Sequence, residues 1–178
     1  MTITITPSQS IELMMDVLKQ GLVPMLTSSP GLGKSSLAKQ IAEEQNLKVI
    51  DLRLSQCDPT DLGGFPMINE DKSKASYVPM NTFPIIGDPI PTGYSGWLLL
   101  MDEFNSAPQS VQAAAYKIVL DKEVGLHKLH NKVAIICAGN LITDKAIVTK
   151  LSTAMQSRMI HFEMEANLKD WLNWAAKE

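Results

Sequence analysis

Apolar residues along the chain fall into short unbroken runs, separated by stretches in which they recur every three or four positions. "LVPMLT", "LKVIDLRL", "WLLLMDE" and "KVAIICAGN" have the length and the bounding turn residues of buried strands, and "IHFEME" alternates as a half-buried strand does. Between them lie helix-period segments. Thr6-Pro7-Ser8-Gln9 has the form of a capping box with proline at the first helical position, and Ile11, Leu13, Met14, Val17 and Leu18 carry an apolar face as far as Gly21. The segment after "LVPMLT" sets Leu37, Ala38, Ile41 and Ala42 against an outward Lys39, Glu43 and Glu44. A third helix is predicted from Pro108 to about Asp121, with Val111, Ala114, Ala115, Ile118 and Val119 on one face. "DKAIVTKLSTAMQSRM" predicts a fourth, and "NLKDWLNWAAKE" a closing amphipathic helix that groups Leu168, Trp171, Leu172 and Ala175.

Strands alternating with helices predict an α/β domain with a largely parallel sheet. The pattern breaks between residues 53 and 96, which hold six of the ten prolines and five of the ten glycines. That segment is predicted to be an irregular surface excursion from the core, too apolar for simple disorder. Residues 1–178 are expected to form one domain, with 1–21 an opening helical region; the length suits one core and is short for two.

Composition narrows the classes. With 45% hydrophobic and 20% charged residues the chain reads as a soluble globular protein, and no apolar run approaches the roughly 20 residues of a membrane span. Its start, "MTITITPSQS", lacks the features of a secretory signal, and Cys57 and Cys137 have no metal-ligand spacing, so a reducing, cytoplasmic setting is expected. A net charge of −3 gives no general attraction to nucleic acid. Arg53 and Arg158 are the only arginines; Arg53 follows a strand and is expected to lie far from the chemistry. His127 and His130 read as solvated hairpin or turn positions, and Met14, Met15, Met25 and Met101 as adaptable packing.

The candidate chemistry begins at "SSPGLGKS". A strand, a glycine-rich turn and Gly-Lys-Ser at a helix start form a phosphate cradle: N–H groups point into a concavity, the helix end adds partial positive charge and lysine adds a mobile cation. Gly31, Leu32, Gly33, Lys34, Ser35 and Ser36 supply this cradle, and Ser35 would place its hydroxyl on Mg²⁺. Ser28 stands where the P-loop pattern has its first glycine, a change tolerated if the backbone there can adopt a glycine-like geometry. "WLLLMDEF" ends a buried strand in two carboxylates at the sheet edge from which a P-loop projects. Asp102 would hold the metal, and Glu103 would polarise water. Asn140 ends another strand; it could bond the water or the terminal phosphate, or equally serve a turn.

Four motifs in order, "SSPGLGKS", "WLLLMDEFNSAPQSVQAAAYKIVLDKEVG", "IICAGN" and "LSTAMQSRM", resemble the AAA+ ATPases, and within them the MoxR-like branch. The resemblance spans about Leu22 to Trp174. It implies a P-loop αβα sandwich with a five-stranded sheet, ATP and Mg²⁺ as cofactors, and ATP hydrolysis. It matches Lys34 and Ser35 to Walker A, Asp102 and Glu103 to Walker B, Asn140 to sensor 1, and Arg158 to the arginine finger that reaches a neighbouring subunit's nucleotide. Arg158 also reads simply as a cation at a helix C-terminus. The resemblance further implies a ring, usually hexameric, that remodels a protein, often with a von Willebrand factor A domain partner. Family members continue into a helical lid; here Glu178 closely follows the last predicted helix, so the lid is expected to be absent or truncated. Two other readings are a nucleotide-switched scaffold with little hydrolysis and a small-molecule P-loop kinase. The kinase is disfavoured by a single arginine in the last 125 residues.

Overall fold

The computed structural model describes residues 2–144, 148, 149 and 151–176. In chain order the elements are β1 (Thr2–Ile5), α1 (Pro7–Lys19), β2 (Val23–Ser28), α2 (Lys34–Glu44), β3 (Leu47–Arg53), α3 (Pro59–Gly63), β4 (Phe65–Ile68) and β5 (Ala75–Val78). They continue with β6 (Gly96–Asp102), α4 (Gln109–Asp121), β7 (Glu123–Val124), β8 (His127–Lys128), β9 (Val133–Asn140), α5 (Thr153–Gln156), β10 (Met159–Met164) and α6 (Leu168–Ala175). The central sheet has the order β1-β10-β2-β9-β6-β3, and every pairing in it is parallel.

Both faces of this sheet are covered, and strand parity decides which side chain meets which helix, because successive residues point to opposite faces. Leu26, Leu98, Leu100, Ile136, Ala138 and Phe162 pack with Met14 of α1 and with Leu37, Ala38, Ile41 and Ala42 of α2. On the other face Met25, Leu99, Met101, Ile135 and Cys137 pack with Val111, Ala115, Ile118 and Val119 of α4. The continuous apolar runs of β6 and β9 follow from burial on both sides. Even-numbered residues of β2, β6 and β9 therefore look toward α2, which fixes where the polar residues at the strand ends point.

The sheet has six strands where five are expected. The sixth, β1, runs along β10 with Ile5 opposite Met164, and its short polar-apolar alternation suits an edge. Residues 53–96 are more regular than their proline and glycine content predicts. Asp58 caps α3, and β4 pairs antiparallel with β5 as a hairpin standing off the main sheet. That hairpin carries exposed Phe65, Met67, Ile68 and Tyr77, so its apolar composition builds surface as well as core. The helix predicted over "DKAIVTKLSTAMQSRM" is confined, among the described residues, to α5; Lys145–Ile147 and Lys150 lie outside them.

Helix α1 starts as expected, with the Thr6 amide donating to the Gln9 side chain at 3.1 Å, but Leu13 of its predicted apolar face is exposed. In helix α6 the Asp170 carboxylate accepts from the Ser8 amide at 2.9 Å, and of the predicted apolar stripe Leu168 is 74% exposed and Leu172 is also exposed. The side chains of Trp171 and Ala175, predicted on the same stripe, lie outside the described set. Met14, Met25 and Met101 are fully buried packing residues, as expected. No helix among the described residues is long and apolar enough to cross a membrane.

Leu99 sits at the middle of β6, fully buried between β3 and β9. Leu99→Ala should cost about 2–5 kcal/mol in urea denaturation, whereas Leu168→Ser should change stability by no more than about 0.5 kcal/mol.

Candidate functional site

Ser28, Asp102 and Asn140 are the last residues of β2, β6 and β9, and all three have the parity that faces α2. The turn after β2 is shaped by Gly31 and Gly33 at φ +83° and +81°, a left-handed conformation that favours glycine, and Gly33 is the N-cap of α2. A Cβ added at either glycine would meet nothing within 4 Å, so both positions border open space. The first turn of α2, beginning with Lys34, Ser35 and Ser36, thus opens at the carboxyl edge of the sheet.

The Lys34 side chain is buried and its ammonium lies among oxygens: the Ser28 carbonyl and hydroxyl at 3.1 Å, the Ser29 carbonyl at 3.3 Å and Asn140 Oδ1 at 3.2 Å. Ser28 is an ordinary strand residue, without the positive φ that would require glycine, and its hydroxyl helps seat the lysine. No glycine-like geometry is needed at that position. Ser35 Oγ donates to Asp102 Oδ2 at 2.6 Å, while Asp102 Oδ1 accepts from the Glu103 amide at 2.8 Å. Glu103 itself adopts φ +55°, and its carboxylate accepts a hydrogen bond from the Ser55 hydroxyl. Lys34, Ser35, Asp102, Glu103 and Asn140 therefore converge at one edge.

Two further residues shape this edge and were not singled out from the sequence. Ser55 lies in a short 3₁₀ turn after β3, and it reaches Glu103 because Arg53 of β3 is paired in register with Asp102. Asn105 is buried and brackets Asn140: its Nδ2 donates to the Asn140 carbonyl at 2.7 Å and its Oδ1 accepts from the Asn140 amide at 3.0 Å. Gly139 makes this possible, since a Cβ there would stand 2.5 Å from Asn105 Oδ1. The asparagine following "MDEF" is the one sequence signal that could have pointed to this bracket.

The two arginines fall differently from expectation. Arg53 is exposed at the carboxyl edge, level with Asp102, and not far from the site as its place after a strand suggests. Arg158 is exposed just before β10, where Met159 is paired with Val23 at the opposite end of β2 from Ser28. Five strand residues, about 17 Å, separate those levels, so Arg158 does not join the cluster of its own chain. Its guanidinium donates to the Ala154 carbonyl at 3.1 Å, in keeping with a cation closing a helix. Near the site, burial first and then Asp61 and Asp58 push the Cys57 thiol up, which keeps it neutral; burial does the same to Cys137.

Residues 24–166 match the family described as "ATPase family associated with various cellular activities (AAA)". The chain belongs to the AAA ATPase family. No curated protein matches it. Among solved structures, this AAA protein is similar to a crystal structure from Cytophaga hutchinsonii described as a "putative ATPase", with a TM-score of 0.66 and 18% identity. That match covers 96% of the chain, which spans about half (50%) of the solved protein's length. At this identity the likeness concerns the fold, the P-loop αβα arrangement of the AAA core.

Removing the bracket tests how the site is held. Asn105→Ala strands the Asn140 amide and carbonyl, and should lower unfolding free energy by about 1–3 kcal/mol in chemical denaturation.

Proposed function

We propose that this AAA protein binds Mg-ATP at the carboxyl edge of its sheet and hydrolyses it to ADP and phosphate. The observation that carries this reading is the convergence of Lys34, Ser35, Asp102, Glu103 and Asn140 beside an open, glycine-shaped loop. The residues suit the ligands. The Lys34 ammonium is an intrinsic partner for phosphate oxygens, and the Ser35 hydroxyl with the Asp102 carboxylate offers hard oxygens on adjacent elements. One carboxylate and a hydroxyl suit magnesium, which takes one or two carboxylates and completes its shell from phosphates and water. When bound, Mg²⁺ supplies Lewis-acid neutralisation of phosphate charge.

In this reading Gly31, Leu32, Gly33, Lys34, Ser35 and Ser36 bind phosphates through backbone amides and the helix end. Lys34 stabilises the charge that spreads over the transferred phosphoryl group. Glu103 orients the attacking water and accepts its proton, while Asn140 hydrogen-bonds the water or the phosphate. Arg158, exposed and remote from its own site, serves a neighbouring subunit. A ring, hexameric by resemblance to the MoxR-like branch, follows from that role. The same resemblance supports a protein substrate and a von Willebrand factor A domain partner, and the exposed apolar hairpin β4–β5 is in keeping with protein contacts. A second reading, a nucleotide switch with little turnover, draws support from the Ser55 contact that engages Glu103.

Lys34→Ala should abolish Mg-ATP binding in calorimetry. Glu103→Gln should retain binding and lose about 100-fold or more of phosphate release. Mixing Lys34→Ala with Arg158→Ala should restore part of the activity each lacks alone; no recovery in co-assembled material would sink the trans role of Arg158. If Ser55 restrains turnover, Ser55→Ala raises phosphate release without altering affinity, and unchanged release removes the switch reading.

A further inference from the structure

The edge of the sheet opposite the nucleotide site carries a groove of about 810 Å³. It crosses the amino ends of the strands: Leu22 precedes β2, Leu47 opens β3 and Val133 opens β9. Seven residue steps along β9 put its Val133 end about 23 Å from Asn140. Its size suits a ligand or a short peptide segment.

Charge is distributed unevenly around it. Lys19, Lys122, Lys128 and Lys132 line the groove against a single acid, Asp121. Lys19 is already paired with Asp16 at 2.9 Å. Lys122, Lys128 and Lys132 have no ion pair or side-chain hydrogen bond among the described residues. On a chain with a net charge of −3 this is a local reversal of sign. Lys122 is the most confined of the three, half-buried, and burial pushes its ammonium below the ordinary lysine range. A desolvated cation without a counter-charge is costly, and a bound anion offsets that cost.

The three lysines are also held in place. The Lys122 carbonyl accepts from the Leu129 amide at 2.7 Å, the Lys128 carbonyl from Ile86 at 3.0 Å and the Lys132 carbonyl from Trp97 at 3.0 Å. His130 is fixed between them, its ring edge-on to Trp97 at 5.1 Å and its Nδ1 accepting from the Lys132 amide at 3.1 Å. That bond leaves the proton of a neutral ring on Nε2, as a further donor. Little backbone ordering is therefore left to be done on binding.

The rim decides what kind of anion fits. Exposed Leu22 and Ile86 flank the lysines, and Met15, Leu18 and Leu47 extend the apolar surface. Free phosphate or a nucleic-acid backbone would make no use of these residues. A chain that carries carboxylates beside large apolar side chains would use both. We propose that this groove binds an acidic, apolar-anchored segment of a partner protein, with Lys122, Lys128 and Lys132 meeting its carboxylates and Leu22 and Ile86 its apolar side chains. The proposal does not depend on the nucleotide reading, since the two sites share no residue.

The test uses the whole chain and a fluorescein-labelled decapeptide with two leucines set among glutamates, read by fluorescence anisotropy. Saturable binding is expected, weakened about tenfold by Lys122→Met and by Lys128→Gln with Lys132→Gln together, and by serine in place of both leucines. The double variant alters exposed side chains and carries the test should Lys122→Met fail to fold. Absence of saturable binding, undiminished affinity in the variants, equal binding of the serine peptide or full displacement by inorganic phosphate would each overturn the proposal. The last two outcomes would mark the groove as a bare anion surface.

Discussion

The hydrogen bond from the Ser35 hydroxyl to the Asp102 carboxylate joins the first turn of α2 to the end of β6. It can form because Asp102 shares the face of Leu98 and Leu100, and that face is the one α2 covers. A shift of register by one residue in β6 would turn Asp102 toward α4 and put Met101 beneath the loop. The apolar packing of β6 on both faces therefore does more than stabilise the domain: it determines the direction of the carboxylate. The same parity brings Ser28 and Asn140 to Lys34.

Much of this was legible in the sequence because its causes are local. "PGLGK" sets two left-handed glycines before a helix, and "WLLLMDE" is too continuously apolar to be anything but buried. What escaped reading depends on which strands are neighbours. Ser55 and Arg53 acquire their places from the pairing of β3 with β6, and Asn105 reaches Asn140 only because β9 lies beside β6 and Gly139 leaves room. Strand β1 was missed because four residues of mixed polarity carry too weak a period to be distinguished from a tail. In α6 a strong helical period was legible, but its exposed Leu168 and Leu172 show that amphipathicity does not say what, if anything, a face is packed against.

The two arginines illustrate the same division. Each is exposed and each stands next to a strand end, yet the parallel sheet sends Arg53 to the carboxyl edge and Arg158 to the amino edge. Strand direction thus puts one cation at the edge it shares with Asp102 and the other at the opposite edge.

Asn105 takes part in one more bond, its carbonyl accepting from the Thr149 amide at 2.7 Å. With its side chain clamped on Asn140, this single residue rivets the exit of β6, the exit of β9 and the segment leading toward α5. Its three bonds tie chain ends far apart in sequence to one another without using an apolar contact.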